Sequence, residues 1–368
     1  MSLRPYLVVA MVLALFASAC ADDGSDDQAV DASATAPPAA TDPGTSTTDV
    51  PADDEPDGDD PDPGATEESP ADPVFPRTVV DALGNEFTLD EPAKIACAWT
   101  GCDELHASLG SVIAAGSLLP GYEDSPMFYP VGPPAFIPSN AFDLEAWAAA
   151  DVDFALSRVP VTPLLTTVAD VVNVFYLHHP SYGESTTNGY QAYLDNLRLV
   201  GQLLGREAAA DTVIADLEEM LVTLRELSTP ELAGRSIAIL FPGAGYQVIG
   251  DENPFCDVVS FTGLGTCLDH PTSELSAEAF LAEDPDWIIY QGGAQGTTAG
   301  RDDPTWTRLT AVAEGRVLDS AFGQYYCCGT RTLRYALQEF VAVTIPDSGI
   351  ADPGDPTTYD PDTSPLLP

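Results

Sequence analysis

The chain has 368 residues, 45% of them hydrophobic, a formal net charge of −45 and a single lysine, Lys94. So negative a chain is a poor electrostatic partner for a nucleic-acid backbone or an anionic lipid surface. Its length and apolar share suffice for two domains.

Residues 1–20 read as an export signal. Arg4 supplies the positive end and Leu7 to Phe16 an apolar run, shorter than the ~20 residues a spanning helix needs. The segment ends Ala17-Ser18-Ala19-Cys20. Small residues ahead of a cysteine resemble a bacterial lipobox, which makes Cys20 the expected lipidated first residue of the mature chain. An ordinary cleavage site with an incidental cysteine is the alternative. Residues 21–75 are rich in Asp, Pro, Ala, Thr and Gly. They lack the apolar side chains that would offset ordering entropy, so a disordered acidic tether of roughly 40 Å is expected. Residues 347–368 have a similar composition and are expected to form a disordered acidic tail.

The folded part is expected over 76–346, as an N-terminal lobe (76–205), a connecting helix (206–228) and a C-terminal lobe (229–346). Thr78 to Thr88 reads as a hairpin through Gly84-Asn85. Lys94 to Ala98 reads as a strand, Cys102 to Leu109 as a helix and Val112 to Ala115 as a strand. Gly121 to Asn140 reads as a Pro- and aromatic-rich loop. A helix and strand run on to Leu156, followed by a strand at Val171 to Tyr176 and a helix at Tyr190 to Leu204. The longest periodic stretch is Arg206 to Leu227. Val213, Leu217, Met220, Leu224 and Leu227 form an apolar stripe there, with Ile214 and Leu221 beside it. As a helix it spans about 33 Å, a rod between two lobes, ended by Thr229-Pro230. Beyond it come a strand at Ser236 to Phe241, a hairpin to Ile249, a helix from Pro254, a strand at Arg316 to Leu318 and a closing helix at Thr330 to Thr344. Alternation of this kind predicts α/β lobes.

The two halves repeat. Glu145-Ala-Trp-Ala-Ala-Ala-Asp151-Val-Asp153-Phe-Ala-Leu156 matches Glu278-Ala-Phe-Leu-Ala-Glu-Asp284-Pro-Asp286-Trp-Ile-Ile289. Each copy reads as a short helix turning through an aspartate into a buried strand.

Six cysteines follow Cys20: Cys97, Cys102, Cys256, Cys267, Cys327 and Cys328. An exported chain oxidises such thiols. Cys97–Cys102 reads as a local bridge. An intervening helix could hold Cys256 and Cys267 too far apart to bridge. A Cys327–Cys328 ring would be strained, so one of them pairing with Cys256 is an alternative. No His/Cys spacing matches a zinc site, and neither a metal nor another cofactor is expected.

From Arg77 to Pro346 the chain resembles the substrate-binding proteins of ABC importers for ferric siderophores and cobalamin. The resemblance rests on Arg77-Thr-Val-Val-Asp-Ala-Leu-Gly-Asn85, Asp103-Glu104-Leu105 with Leu109-Gly110, and Asn196 to Gly205. It rests equally on Leu275-Ser276-x-Glu278 with Asp284-Pro285-Asp286, Gly315-Arg316-Val317 and Gly329-Thr330-Arg331. It implies two Rossmann-like α/β lobes joined by one long helix, with the ligand in the cleft between them. Cys97-Ala-Trp-Thr-Gly-Cys102 and Tyr325-Tyr326-Cys327-Cys328 depart from the family pattern, both at positions that border the cleft in the family.

Open α/β sheets bind ligands beyond the carboxyl ends of their strands. Trp99, Tyr122, Tyr129, Arg158, Tyr182, Tyr325, Tyr326 and Arg331 are the candidates there, and His178-His179 lies nearby. Aromatic faces suit a flat or catechol-bearing ligand, and arginine suits a carboxylate or an anionic chelate. The resemblance implies that Glu145 and Glu278, one per lobe, dock onto the two subunits of a permease. The expectation is a monomeric, lipid-anchored extracytoplasmic receptor for an iron chelate, not an enzyme. Cobalamin, haem or bare metal are alternative ligands. A cell-surface thiol–disulfide protein is an alternative of another class.

Overall fold

A computed structural model describes residues 74–98, 105, 108–110, 115–116, 125–128, 135–136, 144–158, 167–178, 189–242, 246–251, 253–291, 300–320 and 329–361. Cys20, residues 21–73 of the expected tether, Cys102, Cys327 and Cys328 fall outside these residues.

A hairpin of β1 (Arg77–Val80) and β2 (Glu86–Leu89) opens the fold. The carboxylate of Asp81 shapes its turn, accepting from the backbone N–H groups of Leu83 and Asn85, both at 2.9 Å. The first sheet contains β3 (Ile95–Cys97), β4 (Ala115–Gly116), β5 (Ala135–Phe136), β6 (Phe154–Arg158) and β7 (Asn173–Leu177). It runs β5-β4-β3-β6-β7 and is parallel throughout. Helix α1 (Leu144–Ala149) leads into β6. Then come α2 (Gly189–Leu204), α3 (Glu207–Glu226) and α4 (Pro230–Ala233).

The second sheet contains β8 (Ser236–Pro242), β9 (Tyr246–Ile249), β10 (Thr266–Cys267), β11 (Ser273–Leu275), β12 (Trp287–Tyr290) and β13 (Val317–Asp319), in the order β11-β9-β8-β12-β13 with β10 also on β8. Strands β8, β12, β13 and β10 are mutually parallel, and β9 runs antiparallel to both of its neighbours, β8 and β11. Its helices are α5 (Pro254–Thr262), α6 (Ala277–Glu283), α7 (Thr310–Ala313) and the closing α8 (Thr330–Thr344).

The expected rod is α3. Gly205 takes a positive φ of 64°, which L side chains adopt reluctantly, and turns the chain sharply from α2 into α3. Ala210, Ile214, Leu217, Met220, Leu221 and Leu224 form its buried face. Pro230 does more than end the rod: it is the first residue of α4, and the Thr229 hydroxyl caps that helix by accepting from the backbone N–H of Leu232 at 3.2 Å.

Successive buried side chains along the central strands enter opposite cores. Phe154 and Leu156 of β6, Ile237 and Ile239 of β8, and Trp287 and Ile289 of β12 all join one continuous core with side chains of α2, α3, α5 and α8. Ala155 belongs to a small cluster on the other face of the first sheet. Ala238, Leu240, Ile288 and Tyr290 belong to the corresponding cluster of the second. Continuous burial with side chains alternating between two cores is what a sheet covered on both faces requires. The fold is α/β, two sheets with α3 between them in the chain and one core serving both.

Two expectations are corrected, and one cysteine pairing left open by the sequence is decided. The stretch 121–140 contributes the short strand β5, which its proline content concealed. Cys256 and Cys267 are bridged, with Cα atoms 5.5 Å apart. Helix α5 ends at Gly263 in the left-handed region (φ 71°), and the chain doubles back, so β10 lies beside the start of β8. The tail expected to be disordered from 347 is packed as far as 361: Ile350 and Tyr359 are buried, and Gln338 donates to the Ala351 carbonyl at 2.9 Å.

Candidate functional site

The two sheets are built on the same joint. In both halves an aspartate with positive φ, Asp151 (49°) and Asp284 (39°), ends a short helix. Two residues on, a second aspartate ties the incoming strand to its neighbour. Asp153 accepts from the Lys94 backbone N–H at 2.7 Å. Asp286 accepts from the backbone N–H and hydroxyl of Ser236 at 2.9 and 3.0 Å. Trp147 and Phe280 are buried as the matching aromatic plugs. The sequence repeat is thus a repeat of structure. Glu145 and Glu278 stand exposed in the first turns of α1 and α6. In that position a carboxylate is favoured by the helix dipole without being held by it.

At their carboxyl ends, β6 and β7 close the first sheet at Arg158 and Leu177, while β12 and β13 close the second at Tyr290 and Asp319. Asn196 of α2 clasps the end of β7. Its carbonyl accepts from the His178 backbone N–H and its amide donates to the His178 carbonyl, both at 2.8 Å. His178 is therefore held through its backbone. Gln291 immediately follows β12 and is fully buried, yet among the described residues neither polar atom of its side chain has a hydrogen-bond partner. It stands where the repeat places Arg158 in the first half. Aligning the two copies past Ile289 would have singled it out.

Of the residues expected to contact ligand, Trp99, Tyr122, Tyr129, Tyr182, Tyr325 and Tyr326 lie outside the described residues. Arg158 lies on the last position of β6, paired in register with Leu177. Arg331 is placed differently from the expectation. It is only 6% exposed. Its Nε donates to the Met127 carbonyl at 2.9 Å, one Nη donates to the Pro126 carbonyl at 3.1 Å, and Asp360 lies 3.8 Å away. A buried guanidinium needs such acceptors, and these come from the first half and from the tail.

Two further contacts join the halves. The Asp257 carboxylate of α5 accepts from the Tyr190 backbone N–H at the start of α2, at 2.9 Å. Burial pushes this carboxyl above its ordinary value, while the N–H groups of Tyr190 and Gly189 pull it down. The hydroxyls of Ser108 and Thr330 are 2.9 Å apart. Beside the Cys256–Cys267 bridge lies a cavity of about 590 Å³ walled by Asp251, Asp257, Asp269, Phe261 and Thr266 among others. Three carboxylates make it unsuited to an anionic chelate. Cys97 is also disulfide-bonded.

The sequence of residues 166–321 matches the family model described as periplasmic binding protein. No curated protein sequence matches the chain. Among solved structures, the triscatecholate siderophore binding protein FeuA from Bacillus subtilis, complexed with ferri-bacillibactin, superposes with a TM-score of 0.57 at 15% identity, over 70% of this chain and 94% of that one. FhuD2 from Staphylococcus aureus with bound ferrioxamine B gives 0.53 at 17% identity, over 66% and 94%. A periplasmic solute binding protein from Mycobacterium smegmatis gives 0.57 at 17% identity, over 73% and 96%. Residues 166–321 thus resemble the periplasmic binding protein family in sequence, and the chain shares the fold of these solved binding proteins.

Proposed function

We propose that the protein is an extracytoplasmic solute receptor, anchored through a lipidated Cys20, that hands a ferric siderophore or a related iron chelate to an ABC permease. The observation that carries this reading is the shared fold with FeuA and FhuD2, whose structures hold ferri-bacillibactin and ferrioxamine B. Arg158 ends β6, and Trp99, Tyr122, Tyr129, Tyr182, Tyr325 and Tyr326 are proposed with it as contacts because in the sequence they fall in segments between strands, where α/β sheets take ligands. Arg331 is set aside as a direct contact because its guanidinium is already engaged.

The test is titration of the full chain with ferric tris-catecholate and tris-hydroxamate chelates, cobalamin, haem and free Fe(III), followed by tryptophan fluorescence. Tight binding of one ferric chelate is expected. Binding of cobalamin or haem alone would move the ligand class. Failure of all of them would overturn the receptor reading.

Glu145 and Glu278 support docking by one carboxylate per half, in repeat-related positions and free of structural duty. The double variant Glu145→Lys/Glu278→Lys should bind chelate as the wild type does and lose at least about tenfold in uptake, the factor that ~1.4 kcal/mol of lost docking energy gives. Unchanged uptake would remove the docking role. Cys20→Ser should move the protein from the membrane to the soluble fraction.

A further inference from the structure

Apart from the Asp257–Tyr190 bond, the polar contacts across the seam described above gather at the first turn of α8 and the chain beyond its end. From the first half come the Ser108 hydroxyl, the Ser125 hydroxyl and the carbonyls of Pro126 and Met127. From the second come the Thr330 hydroxyl and the Arg331 guanidinium. The Ser125 hydroxyl, on a residue 1% exposed, donates to the Pro356 carbonyl at 3.0 Å, so the tail itself reaches the first half.

The tail is also fastened along α8. Gln338 donates to the Ala351 carbonyl at 2.9 Å, and the Tyr335 hydroxyl donates to the Gly354 carbonyl at 2.7 Å. The Tyr359 hydroxyl donates to the Gln338 side-chain carbonyl at 3.0 Å. The rings of Tyr335 and Tyr359 meet edge to face, 5.0 Å between centroids. Near its end Asp360 brings a carboxylate to within 3.8 Å of Arg331, the residue that grips Pro126 and Met127.

We propose that residues 351–360 form a strap that clamps the first-half segment 125–128 to the start of α8 and so holds the two halves at a fixed separation. The strap acts in two ways. It binds Ser125 directly, and it supplies negative charge to the buried cation that binds the next two residues. A buried guanidinium with carbonyl acceptors and a nearby carboxylate is better compensated than one with carbonyls alone. Met127 and Phe128 are themselves buried in the shared core, so releasing this segment would loosen the seam rather than a surface loop.

Amide hydrogen exchange read by mass spectrometry tests the strap, on the full chain and on a variant lacking residues 351–368. The Phe128 amide, which donates to the Ser125 carbonyl at 3.1 Å, is the natural reporter. Removal of the tail should raise exchange over 125–128 and over the first turn of α8 on the order of tenfold, while β12 and β13 keep their wild-type protection. A rise confined to Tyr335–Val341 would make the tail a cover for α8 only and overturn the proposal. If the truncated chain does not fold, Ser125→Ala decides. It severs only the bond to Pro356 and should raise exchange at Phe128 by about threefold, as loss of one hydrogen bond allows. An unchanged rate there would equally overturn it.

Discussion

The Asp284 carboxylate accepts from both the backbone N–H and the hydroxyl of Thr310, at 2.7 and 2.6 Å. Its counterpart Asp151 has the same left-handed backbone but among the described residues pairs only with the exposed ammonium of Lys94, at 3.1 Å and with its own side chain 91% exposed. Identical joints therefore carry unequal loads. Asp151→Gly should relieve the backbone at little loss and raise stability by about 0.5–1 kcal/mol. Asp284→Gly relieves the same strain but uncaps α7, and should lower stability by about 1–2 kcal/mol. Urea unfolding of both variants checks the contrast, and equal responses would contradict it.

Asp257 gives a pH signature. Its folded carboxyl lies above the ordinary value of 3.8, with burial the largest cause. A carboxyl raised in this way contributes most to stability when protonated, below the unfolded value, and that contribution is lost as pH rises through the folded value. Asp257→Asn retains a carbonyl acceptor for Tyr190 and cannot ionise. At pH 7 the variant should melt at or above the wild-type temperature, and the difference should shrink as pH falls below about 4. A difference that grows on acidification would show the charge to be stabilising.

The Cys256–Cys267 bridge ties α5, and with it Asp257, to the edge of the second sheet. For a loop of this length, replacing both cysteines by alanine should remove about 3 kcal/mol, read by chemical denaturation of the oxidised protein against the variant. The α2 contact should weaken with it, seen as faster exchange of the Tyr190 amide.

Gln291 buries an amide whose oxygen and nitrogen are both unpaired among the described residues. Gln291→Leu should therefore stabilise the ligand-free protein by about 1–3 kcal/mol, because the desolvation penalty disappears with the polar atoms. Lower affinity for a chelate in the same variant would mark Gln291 as a contact. A destabilised variant would mean that the amide has a bound water.

Much of the scaffold was legible because it is written in long periods. Helix α3 was readable from its stripe within one residue at either end, and α8 over its full length. The helix–aspartate–strand repeat was readable because each copy pairs a buried aromatic with two aspartates in fixed positions. The short strands β5, β10 and β11 were not, since two or three residues carry no periodicity. The Cys256–Cys267 bridge depends on a reversal at Gly263 that spacing alone does not reveal. Composition misread the tail, because burying Ile350 and Tyr359 is enough to order an otherwise Asp- and Pro-rich run. The partners of Arg331 were not legible in the sequence. Its neighbours in space, Pro126 and Met127, are some two hundred residues away in the chain. Residues at the strand ends could be nominated by topology, but not ranked, since their partners depend on loop geometry.

The core shared by the two sheets has a thermal consequence. Heat meets no dry boundary at which one half could give way and leave the other standing. A calorimetric scan should show one endotherm rather than two. Damage at a residue as remote from the second sheet as Phe175 should lower the melting of both halves alike.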